Sequence, residues 1–249
     1  MNEDVFTGKA EVYAKYRPSY AEKFIEHLYT EVGFKNSSII ADVGSGTGIF
    51  SKILLKKGST VYLIEPNKDM HERAKNSLTE YQNCFCVNSS AEKIELKDKS
   101  VDFVTAAQAF HWFDRELFKG ECKRILRPGG KVVLTWNSRI TDSPLVMEND
   151  EINRRHCADY KGFSAGNNLV DSEEYKQFFK NVDYREFKNN LYFSNENFIG
   201  RNLSSSYAPK PDTVEYKLYT SELNKLFNKY EQSGKVLMPN ITISYIGEV

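Results

Sequence analysis

Ile39-Ile40-Ala41-Asp42-Val43-Gly44-Ser45-Gly46-Thr47-Gly48 decides the fold of this 249-residue chain. Its first half is a short, mainly apolar run, the pattern of a strand buried in a parallel sheet. Three glycines alternate directly after it. Glycine carries no Cβ and accepts positive φ, so the loop brings bare backbone close to whatever lies over it. Ile49, Phe50, Ile53 and Leu54 then fall on one helical face, and Gly58 is placed to stop that helix. Strand, glycine loop and helix together aim a helix N-terminus at a ligand.

Working outward, residues 39–136 predict strands alternating with helices, hence a parallel sheet covered on both faces. Val61-Tyr62-Leu63-Ile64 is the second strand, and Pro66 with the cap residue Asn67 opens a helix to about Leu78. Cys84–Val87 and Val101–Thr105 make the third and fourth strands. A helix over 114–126 ends at Arg127-Pro128-Gly129-Gly130, and Lys131–Trp136 is the fifth strand. Residues 1–28 hold an aromatic helical stretch broken at Arg17-Pro18. Beyond the core, helices are expected over 145–160, 171–181 and about 215–232, and strands over Tyr184–Phe193 and Ile241–Ile246.

Composition narrows the function classes. Thirty-four basic residues balance thirty-four acidic ones, which argues against a nucleic-acid binder. No apolar run approaches the roughly 18 residues needed to cross a bilayer. The start, Met-Asn-Glu-Asp-Val-Phe, lacks the basic-then-apolar pattern of a signal peptide. Cys84, Cys86, Cys122 and Cys157 match no zinc spacing and are expected to be reduced and structural, so a cytoplasmic location is expected.

The glycine loop is not a dinucleotide fingerprint, because Ile49 stands where the third glycine belongs, and it has no lysine for a phosphate-binding loop. Asp42, two residues before the first glycine, would sit badly beside a pyrophosphate and suits a cationic ligand; the competing reading is a cap on the loop amides. Glu65 closes the second strand, where an acid accepts both hydroxyls of a ribose. Its competing reading is an acid favoured by the dipole of the next helix.

Asp42–Gly48, Glu65–Met70, Ser90–Glu92, Ala107–Trp112 and Leu126–Gly130, in this order and spacing, resemble the class I S-adenosylmethionine-dependent methyltransferases. More narrowly, Val12–Pro18 and Ser204–Tyr207 resemble the branch containing trans-aconitate methyltransferase-like proteins. The resemblance implies a Rossmann-like α/β fold with a seven-stranded, mostly parallel sheet in the order 3-2-1-4-5-7-6, the last strand antiparallel. It implies one domain over 1–249, with a cofactor-binding core at about 37–136, an N-terminal lid over 1–28 and substrate-side additions over about 140–235. Gly44, Ser45, Gly46 and Gly48 would pass beneath the methionine part of the cofactor, and Asp42 would touch its amino group directly or through water. Glu65, with Pro66 and Met70 beside it, would hold the ribose; Ala91 and Glu92 would meet the adenine; Gln108 would face the methionine part. The reaction would move a methyl group to a small-molecule acceptor and release S-adenosylhomocysteine, in a monomer or homodimer needing no metal.

Phe110-His111-Trp112 follows at the mouth, where aromatic faces attract a sulfonium. His111 is either a general base or a hydrogen-bonded packing residue. Tyr13, Tyr16 and Arg17 read as a lid, with Arg17 facing the methionine carboxylate, or as a solvated helix. Tyr207 reads as a residue that orients the acceptor, and Ser204-Ser205-Ser206 either bonds the acceptor or ends a helix. A nicotinamide-dependent oxidoreductase and a non-catalytic cofactor-binding protein are the competing functions.

Overall fold

A computed structural model describes residues 19–163 and 173–249. Seven strands make one sheet: β1 (Ile39–Val43), β2 (Thr60–Ile64), β3 (Cys84–Val87), β4 (Val101–Ala107), β5 (Leu126–Arg139), β6 (Asn181–Lys188) and β9 (Asn240–Glu248). Their order across the sheet is β3-β2-β1-β4-β5-β9-β6, as the resemblance implies. β1 pairs in parallel with both β2 and β4, whereas β9 runs antiparallel between β5 and β6. Ile40, Ala41, Asp42 and Val43 are all buried, consistent with a central strand covered on both faces.

Helices cover the two faces. On one side lie α1 (Glu22–His27, continued by a π-helical turn to Val32), α2 (Ile49–Lys56) and α3 (Lys68–Ser77), whose Phe24, Leu54 and Ala74 pack with Val61 and Leu63. On the other lie α4 (Arg115–Ile125) and the short α6 (Glu173–Lys176), packed on Phe110, Trp136 and Tyr245. The caps follow the sequence: Asn67 accepts from the Met70 N–H at 3.0 Å and Asp114 from the Leu117 N–H at 3.1 Å. Gly58 ends α2 with φ +92°.

The C-terminal additions form a third cluster. Here α5 (Pro144–His156), α7 (Asn195–Leu203) and α8 (Val214–Tyr230) enclose Leu145, Phe198 and Leu223 beside a two-stranded ribbon of β7 (Leu191–Phe193) and β8 (Val236–Met238).

Three expectations change. The strand expected over Tyr184–Phe193 is two strands in different sheets. It breaks at Asn189, whose side chain donates to Ser19 O, Asn137 Oδ1 and Thr242 Oγ1, so the chain turns out of the main sheet. The helix expected over 171–181 is only Glu173–Lys176 within the described residues, because Lys180 already donates to Glu248 O and starts the β6–β9 pairing. Finally, β8 and α7 were not expected, although the triple serine does end α7: Ser204 Oγ donates to Arg201 O at 2.8 Å.

Candidate active site at the carboxyl ends of the strands

β1 delivers the glycine loop to the carboxyl edge of the sheet, and the backbone of β2 holds it there. The Gly44 and Ser45 N–H groups both donate to Ile64 O, at 2.8 and 3.2 Å. Gly44, Gly46 and Gly48 have φ of +66°, +56° and +81°, which explains the alternating glycines. The three differ in surroundings. A Cβ on Gly44 would lie 2.5 Å from Ala109 Cβ, and one on Gly48 2.8 Å from Leu78 Cδ1, whereas one on Gly46 would meet nothing within 4 Å. The hydroxyls of Ser45 and Thr47 are buried without a hydrogen-bond partner among the described residues.

Glu65 closes this loop from the side. Its Oε2 accepts from the Gly46 N–H at 2.8 Å and its Oε1 from the Asn67 N–H at 2.9 Å. One carboxylate, largely buried, thus joins the glycine loop to the N-cap of α3. Pro66 and Met70 belong to the same corner, Met70 buried in the first turn of α3 and Pro66 O accepting from Asn88 Nδ2.

Asp42 is placed differently from expectation. It is fully buried, and its two oxygens accept from Ser51 Oγ at 2.5 Å and Thr105 Oγ1 at 2.7 Å. These bonds tie β1 to α2 and to its neighbour β4, beneath the loop. Burial pushes its pKa up to about 6, against the pull of the two hydroxyls. The sign follows from linkage: the folded state holds the Asp42 proton more tightly than the unfolded chain. This contribution is full below about pH 4 and is lost as pH rises through about 6. Urea unfolding of Asp42→Asn, set against the parent, should therefore lack that decline between about pH 4 and 6. Parallel pH profiles would place the ionisation elsewhere.

The remaining residues sort by burial. Ala91 is buried beside the Ser90–Lys93 bridge, while Glu92 Oε1 accepts from the Asp114 N–H at 3.1 Å and so braces the start of α4. Gln108 has φ +60°, a conformation costly for a side chain with a Cβ, just past the end of β4. Its backbone N–H donates to Thr135 O at 2.8 Å and its Nε2 to Asn137 O at 3.2 Å, fixing it against β5.

Phe110 leaves the mouth altogether. It is fully buried among Phe113, Phe118, Trp136, Tyr175 and Phe178, so only His111 and Trp112 remain there. The His111 Nδ1 accepts from the Trp136 indole N–H at 3.4 Å. A neutral imidazole that accepts at Nδ1 carries its proton on Nε2. This geometry matches the packing reading of His111. Tyr207 packs edge-on against Tyr160, ring centroids 4.7 Å apart, within the C-terminal cluster. Tyr13, Tyr16 and Arg17 lie outside the described residues. Ser51 and Thr105, the partners of Asp42, were missed.

With this geometry in view, comparison with known proteins is decisive. Residues 41–134 match the family described as a methyltransferase domain. An uncharacterised methyltransferase of Geobacillus sp. (strain WCH70) is 30% identical over 156 residues, covering 59% of this chain and 72% of that one. The chain belongs to the class I S-adenosylmethionine-dependent methyltransferases. An uncharacterised methyltransferase of Schizosaccharomyces pombe is 26% identical over 245 residues, 95% of this chain and 93% of that one. A second relative from the same yeast, described as methyltransferase-like, is 32% identical, and the match spans only 62% of it. Among solved structures, a candidate type II methyltransferase from Anaeromyxobacter dehalogenans superposes with a TM-score of 0.65 at 19% identity, covering 93% of this chain and 97% of that one. At that identity the likeness speaks for the fold of this methyltransferase. Among the described residues, no helix is long and apolar enough to cross a membrane.

Proposed function

We propose that the chain transfers the methyl group of S-adenosylmethionine to a small-molecule acceptor, with Glu65 holding the ribose hydroxyls. The observation that carries this reading is the meeting of Glu65 with the glycine loop at the carboxyl ends of β1 and β2, where open α/β sheets bind ligands. The residues fit the cofactor. The space over Gly46 is open, and two buried loop hydroxyls, of Ser45 and Thr47, await partners. Two backbone amides fix the orientation of the Glu65 carboxylate at the edge of the loop.

In this reading Gly44, Ser45, Gly46, Gly48 and Gln108 line the methionine part of the cofactor. Glu65, Pro66 and Met70 line the ribose, and Ala91 and Glu92 the adenine. Asp42 acts from below by fixing β1 under the loop. When bound, the cofactor supplies an electrophilic methyl group on a positively charged sulfur. The chain's own task is alignment and exclusion of water, and alignment alone supplies about 7–11 kcal/mol of a displacement barrier. Trp112, which is 37% exposed beside His111, offers a ring face to the positive charge, an attraction of about 0.5–2 kcal/mol. No base is assigned to His111, which orients the mouth through Trp136. The acceptor side falls to the additions over about 140–235, where Tyr207 and Tyr160 present a tyrosine pair. The balanced charge of the chain favours a small acceptor over a nucleic acid.

Calorimetry tests the assignment. Glu65→Ala should weaken S-adenosylhomocysteine binding by about 1–3 kcal/mol, the range for a lost charge-assisted hydrogen bond, with the circular dichroism spectrum unchanged. Undiminished affinity in the variant would remove Glu65 from the site. Tighter binding of a nicotinamide dinucleotide by the parent would favour the oxidoreductase.

A further inference from the structure

Two thiols stand apart from the machinery above. Cys84 and Cys86 lie two residues apart on β3, an edge strand of the sheet, and both are partly exposed. Strand alternation puts them on the same face, against Leu63 and Ala74, while Phe85 turns to the opposite face and stacks on Tyr62 with centroids 5.1 Å apart. The ladder to β2 runs through the odd-numbered residues: the Val61 N–H donates to Asn83 O at 2.9 Å and the Glu65 N–H to Val87 O at 3.1 Å. The backbone of Cys84 and Cys86 therefore faces the open edge.

We infer that Cys84 and Cys86 form a peroxide-responsive dithiol, Cys86 the attacking sulfur and Cys84 the resolving one. Several observations support the assignment of roles. The neighbouring Cys84 thiol above all, with Lys75 nearby, pulls Cys86 down to about 7 against burial and the Glu72 charge. The same pairing pushes Cys84 up. Cys122 and Cys157 are buried, and burial pushes both of their thiols up, so neither competes.

The chemistry balances with hydrogen peroxide as the oxidant. The Cys86 thiolate attacks one peroxide oxygen, forming an S–O bond as the O–O bond breaks and hydroxide leaves. Cys84 sulfur then attacks Cys86 sulfur: the S–S bond forms, the S–O bond breaks, and the second hydroxide departs. With the two thiol protons the products are two waters, and the thiols have lost two electrons. Geometry sets the consequence. Two residues along a strand separate Cα atoms by about 6.6 Å, at the long end of the range of about 4.4–6.8 Å that a disulfide spans. Closure thus shortens β3 and buckles it at Phe85.

That strain reaches the cofactor corner. Val87 O accepts the Glu65 N–H, and Asn88 Nδ2 donates to Glu65 O at 2.9 Å and to Pro66 O at 3.2 Å. Oxidation therefore loosens the strand end that carries Glu65. This consequence rests on the cofactor reading above; the thiol chemistry does not.

The test treats the full chain with hydrogen peroxide and reads peptide masses and S-adenosylhomocysteine affinity on the same sample. The expected product has lost two hydrogens within the peptide holding Cys84 and Cys86. It should form about tenfold faster at pH 8 than at pH 6, following the Cys86 thiolate fraction. In Cys84→Ser, dimedone should capture the sulfenic acid on Cys86. Affinity of the oxidised chain should fall about two- to tenfold, the cost of one weakened backbone hydrogen bond. Equal oxidation of Cys122 or Cys157, or no dimedone adduct on Cys86, overturns the dithiol. Equal affinity in oxidised and reduced chains overturns the coupling. Failure of the reduced chain to bind S-adenosylhomocysteine strikes the cofactor reading instead, and the masses still decide the thiols.

Discussion

Replacing Trp136 by alanine should cost the fold about 3–5 kcal/mol, the range for deleting a large aromatic side chain from a packed core. Trp136 is fully buried on β5 and stacks on Tyr175 with centroids 4.9 Å apart and planes 9° from parallel. Phe110 and Tyr245 meet it edge-on, so its removal opens a cavity that three rigid rings cannot readily fill. Urea unfolding measures the cost, and a loss under about 1 kcal/mol would mean that this aromatic cluster collapses freely. The effect should not stop at stability. The next residue, Asn137, accepts the Gln108 side chain through its carbonyl, and the indole N–H fixes His111. Loss of Trp136 therefore loosens both residues at the mouth, and turnover should fall further than the fraction unfolded accounts for.

The same residues show what a sequence can and cannot tell. The path from β1 through the glycine loop to β2 and Asn67 was legible because each step is local: an apolar run, a set of glycines, a cap. The sheet order followed from the resemblance, and the register of β1 with β2 and β4 agrees with it. Asp42 was read toward the ligand because its neighbours in sequence are the glycines. Its actual partner Thr105 lies on the adjacent strand, 63 residues away, a pairing no local pattern encodes. Phe110, His111 and Trp112 read as one aromatic group, yet a single helical turn sends Phe110 into the core and leaves Trp112 exposed. The split of the strand at Asn189 depends on Ser19, Asn137 and Thr242, three separate parts of the chain. What the sequence missed is contact between distant segments, and it is those contacts that decide whether a polar group serves the scaffold or the site.

Paired substitutions in the glycine loop separate scaffold from site most sharply. Gly44→Ala places a methyl group 2.5 Å from Ala109 Cβ and 3.1 Å from Phe113 Cζ, at φ +66°. The left-handed conformation costs a residue with a Cβ about 1–2 kcal/mol, and forced overpacking adds about 1–3 kcal/mol. Ala109 has no rotamer through which to yield, so backbone must move, and the expected loss of stability is about 2–5 kcal/mol. Gly46→Ala meets only the conformational cost, about 1–2 kcal/mol, because no atom lies within 4 Å of the added Cβ. Its methyl group instead enters the open space over the loop, beside the amide that Glu65 holds. The two variants should therefore cross. Gly44→Ala should be the less stable in urea, whereas Gly46→Ala, still folded, should bind S-adenosylhomocysteine at least about tenfold more weakly than the parent in calorimetry. Parental affinity in folded Gly46→Ala would mean that nothing rests on this loop, and the cofactor would have to be sought on another face of the sheet.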